Sequence, residues 1–300
     1  MEFQLITILG PTATGKTRLA VQLADYFNGE IISADSRQVY RGMNIGTGKD
    51  LSEYLINGKQ IRYHLIDVID PAAEFNLFLF QELFQKASQT IIAGNKTPFL
   101  VGGTGLYLSS VLQNYNLSKA AFEIEFEKLS SLSDDKLREI LKTLNPALHN
   151  TTDLNNRDRI IKAIAVSRSK QYKSEKQNIN SLVIGVNLSR DEIKKRITAR
   201  LKKRIDEEGM IEEVKFLMDS GISYDRMKFF GLEYKFIAQY LNDELNKNDM
   251  FQKLNSAIHS FAKRQMTWFR KMEKEGIVIN WIDEPDFNKA KGLIEMRLTA

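Results

Sequence analysis

The sequence predicts an α/β fold in which a parallel sheet is flanked by helices and carries a small helical insertion. Three observations point there. Over the first hundred residues, short β-branched runs alternate with helical spacing, as in strand–helix–strand units whose strands pair in parallel. The first of these runs leads into Gly10-Pro-Thr-Ala-Thr-Gly15-Lys16-Thr17, which fits G-x-x-x-x-G-K-[ST], the phosphate-binding loop set between a strand and a helix. From residue 116 to about 180 the chain is polar and helical in pattern, and a strand-like run resumes only at Ser181. The expected fold is therefore P-loop NTPase-like, with a catalytic core of residues 1–115 and 181–300 and a helical insertion domain of residues 116–180.

The elements follow in order. Leu5-Ile-Thr-Ile-Leu9 reads as the first strand, and Thr17 to Phe27 as a helix with Leu19, Ala20, Leu23, Ala24 and Phe27 on one side. Glu30-Ile-Ile-Ser-Ala34 is a second strand ending at Asp35, and His64-Leu-Ile-Asp-Val-Ile69 reads as a third. Asn76 to Ala93 is helical, and Pro98-Phe-Leu-Val101 is a strand running into Gly102-Gly-Thr-Gly105. Ligands of such sheets sit at the carboxyl ends of the strands. The loops after Leu9, Ala34 and Val101 all leave from that edge.

In the insertion, Ser133-Asp-Asp-Lys-Leu opens a helix reaching Leu144, Pro146 and Asn150 to Asn156 read as loop, and Asp158 to Ser167 is helical again. Ser181 to Leu188 returns to the sheet. Ser189 with Glu192 forms a capping box that opens a basic helix. Ala257 to Lys274 is a two-faced helix, with Ile258, Phe261, Gln265, Trp268 and Met272 on its apolar side and Lys263, Arg270 and Lys274 opposite.

Composition excludes some chemistry. The chain has 300 residues and no cysteine, so no disulfide or thiolate metal site forms. The first residues lack the features of a signal peptide. No apolar run approaches the roughly 20 residues that span a bilayer. A cytoplasmic protein without a membrane partner is expected. The net charge of +5 is modest, but from Arg190 to Arg204 eight basic residues stand against two acids. Glu123, Glu125, Glu127, Asp134, Asp135 and Glu139 make the middle acidic. Such asymmetry suggests a face that meets a polyanion.

Several residues carry chemistry. In the glycine loop, successive N–H groups and the helix N-terminus point at phosphate oxygens. Lys16 adds a charge there, and the Thr17 hydroxyl can ligate Mg2+. Asp35, at the end of the second strand, faces the ligand crevice and can orient or deprotonate an acceptor; the competing reading is a helix cap or turn residue, since Asp-Ser is common in turns. Gly102 to Gly105 permits close backbone approach to a ligand, with Thr104 as a donor, or forms a tight strand-to-helix turn. Arg196 and Arg200, spaced i, i+4, can face one anion; most charges of that helix read as a solvated face. Lys263-Arg264-Gln265 and Trp268 to Lys271 mix charge with aromatics as nucleic-acid grooves do, although Trp268 reads more readily as core. His64, His149 and His259 have no metal-like spacing, and His64 reads as structural.

Taken together, these blocks resemble the tRNA dimethylallyltransferases (tRNA isopentenyltransferases). The matching stretches are Gly10 to Thr17, Asp35-Ser-Arg-Gln-Val-Tyr-Arg-Gly-Met-Asn-Ile-Gly-Thr47, His64-Leu-Ile-Asp67, Val101-Gly-Gly-Thr-Gly-Leu-Tyr107 and Ala262-Lys-Arg-Gln-Met-Thr-Trp-Phe-Arg270. They fall in the family's order across nearly the whole chain. The glycine loop alone is unspecific; the combination is highly specific. The resemblance implies transfer of the dimethylallyl group of dimethylallyl diphosphate to N6 of adenosine 37 in tRNA, beside the anticodon, with Mg2+ at the diphosphate; a monomer is expected.

By that likeness Gly10, Pro11, Thr12, Ala13, Thr14, Gly15, Lys16 and Thr17 cradle the diphosphate rather than hydrolyse ATP. Asp35 is the general base toward N6, Thr104 contacts the reacting centre, and Arg200 binds the diphosphate. Three stretches line up with those that hold the tRNA anticodon stem-loop. They are Asp35, Ser36, Arg37 and Gln38; Asp158, Arg159, Ile160, Ile161 and Lys162; and Lys228, Phe229, Phe230, Gly231, Leu232 and Glu233. The chain departs from the family pattern on the acceptor side. Arg62-Tyr63-His64 replaces Pro-His-His, Gly231-Leu232-Glu233 replaces Gly-Tyr-Lys/Arg, and Ile258-His259-Ser260-Phe261 replaces Thr-Arg-Gln-Tyr. The readings weighed against this one are a P-loop kinase, a prenyltransferase of free adenine nucleotides, and an RNA-binding protein with a vestigial loop.

Overall fold

The computed structural model describes residues 4–115, 127–144, 157–169 and 179–298. The chain divides into two units, Met1–Leu108 with Ile179–Ala300, and Ser109–Asn178. The strands are β1 (Leu5–Leu9), β2 (Gly29–Ala34), β3 (Leu55–Ile56), β4 (Lys59–Gln60), β5 (Tyr63–His64), β6 (Thr97–Gly102), β7 (Ser181–Asn187) and β8 (Asn280–Asp283). Among the described residues, six of them form a sheet in the order β5-β2-β6-β1-β7-β8, and every pairing is parallel. The register sets Leu9 beside Gly102 and Gly185, and Gly102 beside Ala34. The three central strands therefore end level, and the loops that follow them start from one line. β3 and β4 form a separate hairpin turned by Asn57 and Gly58, both at positive φ, the conformation an Asn-Gly hairpin turn requires.

β1 is buried at all of its residues, so both faces of the sheet are covered. On one face Ile6, Ile8, Ile31, Phe99, Val101, Leu182 and Ile184 pack against α1 (Lys16–Tyr26) and α11 (Phe287–Leu298) through Leu19, Leu23, Ala290 and Ile294. Burying a side chain such as Phe99 stabilises the fold by about 2–3 kcal/mol. Thr7, buried in the middle of β1, satisfies its hydroxyl against Ser181 Oγ at 2.8 Å.

The remaining helices of this unit are α2 (Leu77–Ala93), α6 (Arg190–Asp206), α7 (Met210–Asp219), α8 (Tyr224–Phe230), α9 (Leu232–Leu241) and α10 (Lys247–Lys274); α3 (Gly105–Leu112) begins in it. Their starts follow from sequence. Asn76, Ser189, Ser223 and Asn246 each accept a backbone N–H of the first turn on the side chain, which satisfies one of the donors a helix start leaves free. Among the described residues no helix is long and apolar enough to cross a membrane.

The second unit contains α4 (Asp134–Leu144) and α5 (Arg157–Ser169). Leu129, Leu137 and Leu141 close a small core with Ile160, Ile161 and Ile164. Arg157 pins the start of α5 through Asp134 and the carbonyls of Ser130 and Leu132, both at 2.7 Å. Glu123, Glu125, Pro146, His149 and Asn150 to Asn156 lie outside the described residues.

The structure corrects three readings. The strand expected over His64 to Ile69 is only Tyr63–His64, because Leu65 and Asp67 take left-handed φ values of 64° and 55°, which end an extended run. His64 Nε2 lies 2.7 Å from Glu30, a buried carboxylate that Lys96 also meets at 2.7 Å. The last long helix begins at Lys247 rather than Ala257. Its buried stripe is Met250, Leu254, Ile258, Ala262, Gln265, Phe269 and Met272, while Phe261 is exposed and Trp268 half-buried.

Candidate active site

Five segments meet at the carboxyl edge of the sheet: the glycine loop after β1, the loop after β2, the turn after β6, and the facing sides of α6 and α10. The glycine loop is shaped by Ala13 and Gly15, at φ 65° and 81°; the second value is one a side chain rarely tolerates. Thr14 Oγ1 donates to Pro11 O at 3.0 Å and Lys16 Nζ to the same carbonyl at 3.3 Å. Thr12 is the joint. Its N–H donates to Gln265 Oε1 at 2.8 Å, and its hydroxyl accepts from Arg200 Nη2 at 2.6 Å. The Gln265 amide then donates to Gly103 O at 2.9 Å. One buried glutamine thus locks the phosphate loop to the turn after β6.

Asp35 shapes the turn after β2 with one carboxylate oxygen and leaves the other outside it. Oδ1 accepts from Arg37 N at 2.8 Å, the Asx turn. Among the described residues Oδ2 accepts nothing. Ser36 N donates to Thr104 Oγ1 at 3.1 Å, and Thr104 N to Ala34 O at 3.2 Å, so Asp35 and Thr104 are fixed side by side. Packing alone requires the glycines of the β6 turn. A Cβ on Gly102, Gly103 or Gly105 would meet Ala34, Gln265 or Trp268 at 2.3 Å. The half-buried Trp268 is the lid on that turn.

Burial disfavours the charged form of two cations of the site. Burial lowers Lys16 to a pKa of about 8, with Arg200 pushing the same way and Asp35 opposing. Burial also lowers Arg200 to about 10, reinforced by Arg204. The Glu53 and Glu233 carboxyls are raised by burial. A diphosphate would supply counter-charge that offsets the lost hydration of the two cations.

Other predicted residues are placed differently. Arg196 does not join Arg200; its Nε donates to Glu192 at 2.7 Å on the outer face. The arginine that turns inward with Arg200 is Arg204, bound to both oxygens of Asp50 at 2.8 Å. Ile160 and Ile161 are core residues of the second unit, so their side chains are withheld from RNA. The side chains of Asp158, Arg159 and Lys162 lie outside the described residues. Phe230 is buried edge-on against Tyr40 and Tyr234, whereas Phe229 is exposed between Arg37 and Arg226 at 5.3 and 4.8 Å. Lys228 is exposed beside Asp225. Gly231, at φ 134°, links α8 to α9 within reach of Arg37. Leu232 and Glu233 are half-buried. Gln38, predicted to face tRNA, is engaged inside the protein with Ser33 Oγ at 3.0 Å and Gly48 O at 3.0 Å.

The sequence reading passed over Gln265 as a site residue, and over Arg204, Asp50 and Glu53. A signal for Gln265 was available: it is a lone amide on an apolar stripe, and a buried amide demands partners. Thr17 stands in the first turn of α1, where a hydroxyl can reach a metal. Among the described residues no group of three or more His, Cys, Asp or Glu side chains could hold a metal ion.

A parallel sheet with a phosphate loop, inward-turned cations and a carboxylate across the crevice defines a P-loop phosphate-binding enzyme. The comparisons narrow the class. A family model described as IPP transferase matches residues 38–272. tRNA dimethylallyltransferase 1 of Geotalea uraniireducens is 51% identical over 94% of this chain and 93% of its own. The crystal structure of the tRNA isopentenylpyrophosphate transferase from Bacillus halodurans is similar with a TM-score of 0.69 and 33% identity, over 99% of this chain and 95% of that one. That of the tRNA delta(2)-isopentenylpyrophosphate transferase from Staphylococcus epidermidis gives 0.70 and 30%, over 98% of each chain. The chain belongs to the tRNA dimethylallyltransferase (IPP transferase) family of enzymes.

Proposed function

We propose that this chain transfers the dimethylallyl group of dimethylallyl diphosphate to N6 of adenosine 37 in tRNA, acting as a cytoplasmic monomer. The observation that carries the reading is the junction at Thr12. Arg200 and Gln265 hold the phosphate loop from two sides, and Gln265 ties it to the turn that presents Thr104 next to Asp35. A leaving-group cradle and an acceptor-side carboxylate are thereby built into one rigid frame.

The chemistry follows from that frame. The allylic C–O bond breaks, charge collects on the diphosphate, and the C–N6 bond forms. Loop N–H groups, Lys16 and Arg200 stabilise the departing diphosphate. Asp35 accepts the N6 proton through its free oxygen as the nitrogen becomes cationic. Thr104 orients the reacting groups. The adenine leaves its stack to reach the crevice, and the exposed Phe229 and Lys228, with the half-buried Arg37 and Arg226 beside Phe229, offer the aromatic and cationic contacts that an unpaired loop recognises.

The residues present suit Mg2+. It prefers one or two protein oxygens, with substrate phosphates and water supplying the rest; the Thr17 hydroxyl offers such an oxygen, and no dedicated protein cage is needed. Bound there, Mg2+ supplies charge neutralisation to the leaving diphosphate.

Asp35→Asn is the test of the acceptor half. It keeps the turn bond from Arg37 N and removes the base. Transfer to an anticodon stem-loop should fall by at least about a hundredfold, the lower end of the range for general-base catalysis, with stem-loop affinity unchanged. Transfer at the wild-type rate would refute the assignment.

A further inference from the structure

The loop leaving β2 runs from Asp35 to Asp50, and its far limb is held by a carboxylate from outside the crevice. Glu213 on α7 accepts three successive backbone N–H groups: Asn44 and Ile45 at 2.8 Å on Oε2, and Gly46 at 3.0 Å on Oε1. The Tyr234 hydroxyl donates to Oε1 at 2.7 Å. Consecutive N–H groups turned inward form an anion-binding concavity, and here the protein's own carboxylate fills it. Nothing bulkier than Gly46 fits beneath, because a Cβ would come within 2.6 Å of the Tyr234 ring.

From this nest a chain of contacts leads to Asp35. Lys49 Nζ, buried, donates to Asn44 Oδ1 at 3.1 Å, to Tyr40 O at 2.6 Å and to Asp67. Gly48 O accepts from Gln38, whose oxygen accepts from Ser33 on β2. Arg37 N and Ser36 N then fix Asp35 and Thr104. At the loop's end Asp50 takes both bonds from Arg204, one turn beyond Arg200 on the same helix.

We infer that Glu213 is a positioning residue for the transfer step: its carboxylate in the 44–46 nest sets the acceptor loop, and through it Asp35, without touching either substrate. This rests on the proposed function above. Glu213→Gln preserves size but offers one acceptor oxygen where two are used, and turns an amide donor toward other donors. The loop relaxes while the phosphate loop, held separately by Arg200 and Gln265, keeps its shape.

The experiment measures steady-state transfer from dimethylallyl diphosphate to an A37 anticodon stem-loop with wild type, Glu213→Gln and Glu213→Asp, with the Tm of each. Glu213→Gln is expected to lose at least tenfold in kcat with KM for dimethylallyl diphosphate within twofold of wild type. Glu213→Asp, which keeps the charge, is expected to recover part of kcat. Glu213→Gln with wild-type kcat overturns the inference. So does a loss in which kcat and dimethylallyl diphosphate affinity fall together in both variants, the mark of general loosening. If Glu213→Gln does not fold, Glu213→Asp decides by the same two criteria: a lower kcat at unchanged KM supports the inference, and wild-type kcat overturns it. Wild-type protein that transfers nothing to the stem-loop refutes the proposed function instead, so the two failures are distinct.

Discussion

Replacing Gln265 by Leu would test whether one buried amide joins the two loops of the site. The substitution keeps roughly the volume and the apolar surroundings of α10 but removes both hydrogen bonds. Gly103 O, buried below the helix, and Thr12 N, partly buried, are each left without a partner. An orphaned buried group costs about 1–3 kcal/mol, with Thr12 at the lower end because it is half-exposed. The expected loss is about 2–4 kcal/mol. At about 2–4 °C per kcal/mol for a domain of this size, the Tm falls by about 4–16 °C. Dimethylallyl diphosphate binding weakens too, because the freed Thr12 also carries the bond from Arg200. Differential scanning calorimetry reads the first effect and titration calorimetry the second. Gln265→Glu should fail as well, since it keeps the acceptor for Thr12 but turns a second oxygen on the Gly103 carbonyl. A Leu variant with the Tm and diphosphate affinity of wild type would refute the reasoning.

Three further outcomes follow from the same geometry. Lys16→Ala should reduce transfer by at least about a hundredfold, as removal of a preorganised charge-stabilising donor does, while gel-shift affinity for the stem-loop stays at the wild-type value. Lys16 titrates near pH 8 in the free protein; the charged form binds the diphosphate, so affinity holds below that pH and falls as pH rises through it. The loss should be about tenfold from pH 7 to pH 9, and Lys16→Ala should show none of that slope. Arg204→Met strands Asp50, which is 39% exposed. That exposure discounts the 3–5 kcal/mol typical of a broken buried pair to about 1–3 kcal/mol, measured by urea unfolding.

The β-strands were legible because buried parallel strands read as unbroken apolar runs, as in Leu5–Leu9 and Ser181–Asn187. The phosphate loop was legible because its spacing and context are local. Other features were hidden because they depend on long-range pairing. Arg204 looks like any residue of a solvated basic helix until Asp50, far away in sequence, arrives beside it. Arg196 has the right spacing to join Arg200, but Glu192, one turn earlier, captures it. The Gly102 to Gly105 turn looks made for a ligand, yet Gln265 and Trp268 from α10 fill the space. β5 stopped early because Leu65 and Asp67 are left-handed, and Leu65, which ends the strand, carries no turn signal in the sequence. The stripe of α10 was misread by a fraction of a turn because the window began at Ala257, omitting Met250 and Leu254, which fix its phase.

The account's central claim is that the phosphate loop anchors a leaving group while a tRNA adenosine receives the carbon. Mixing the protein with Mg2+, labelled dimethylallyl diphosphate, an A37 anticodon stem-loop and an equal concentration of AMP, ADP and ATP, followed by nucleoside mass spectrometry, tests it directly. The account predicts label on N6 of A37 and none on the free nucleotides. Label confined to the free nucleotides would contradict it.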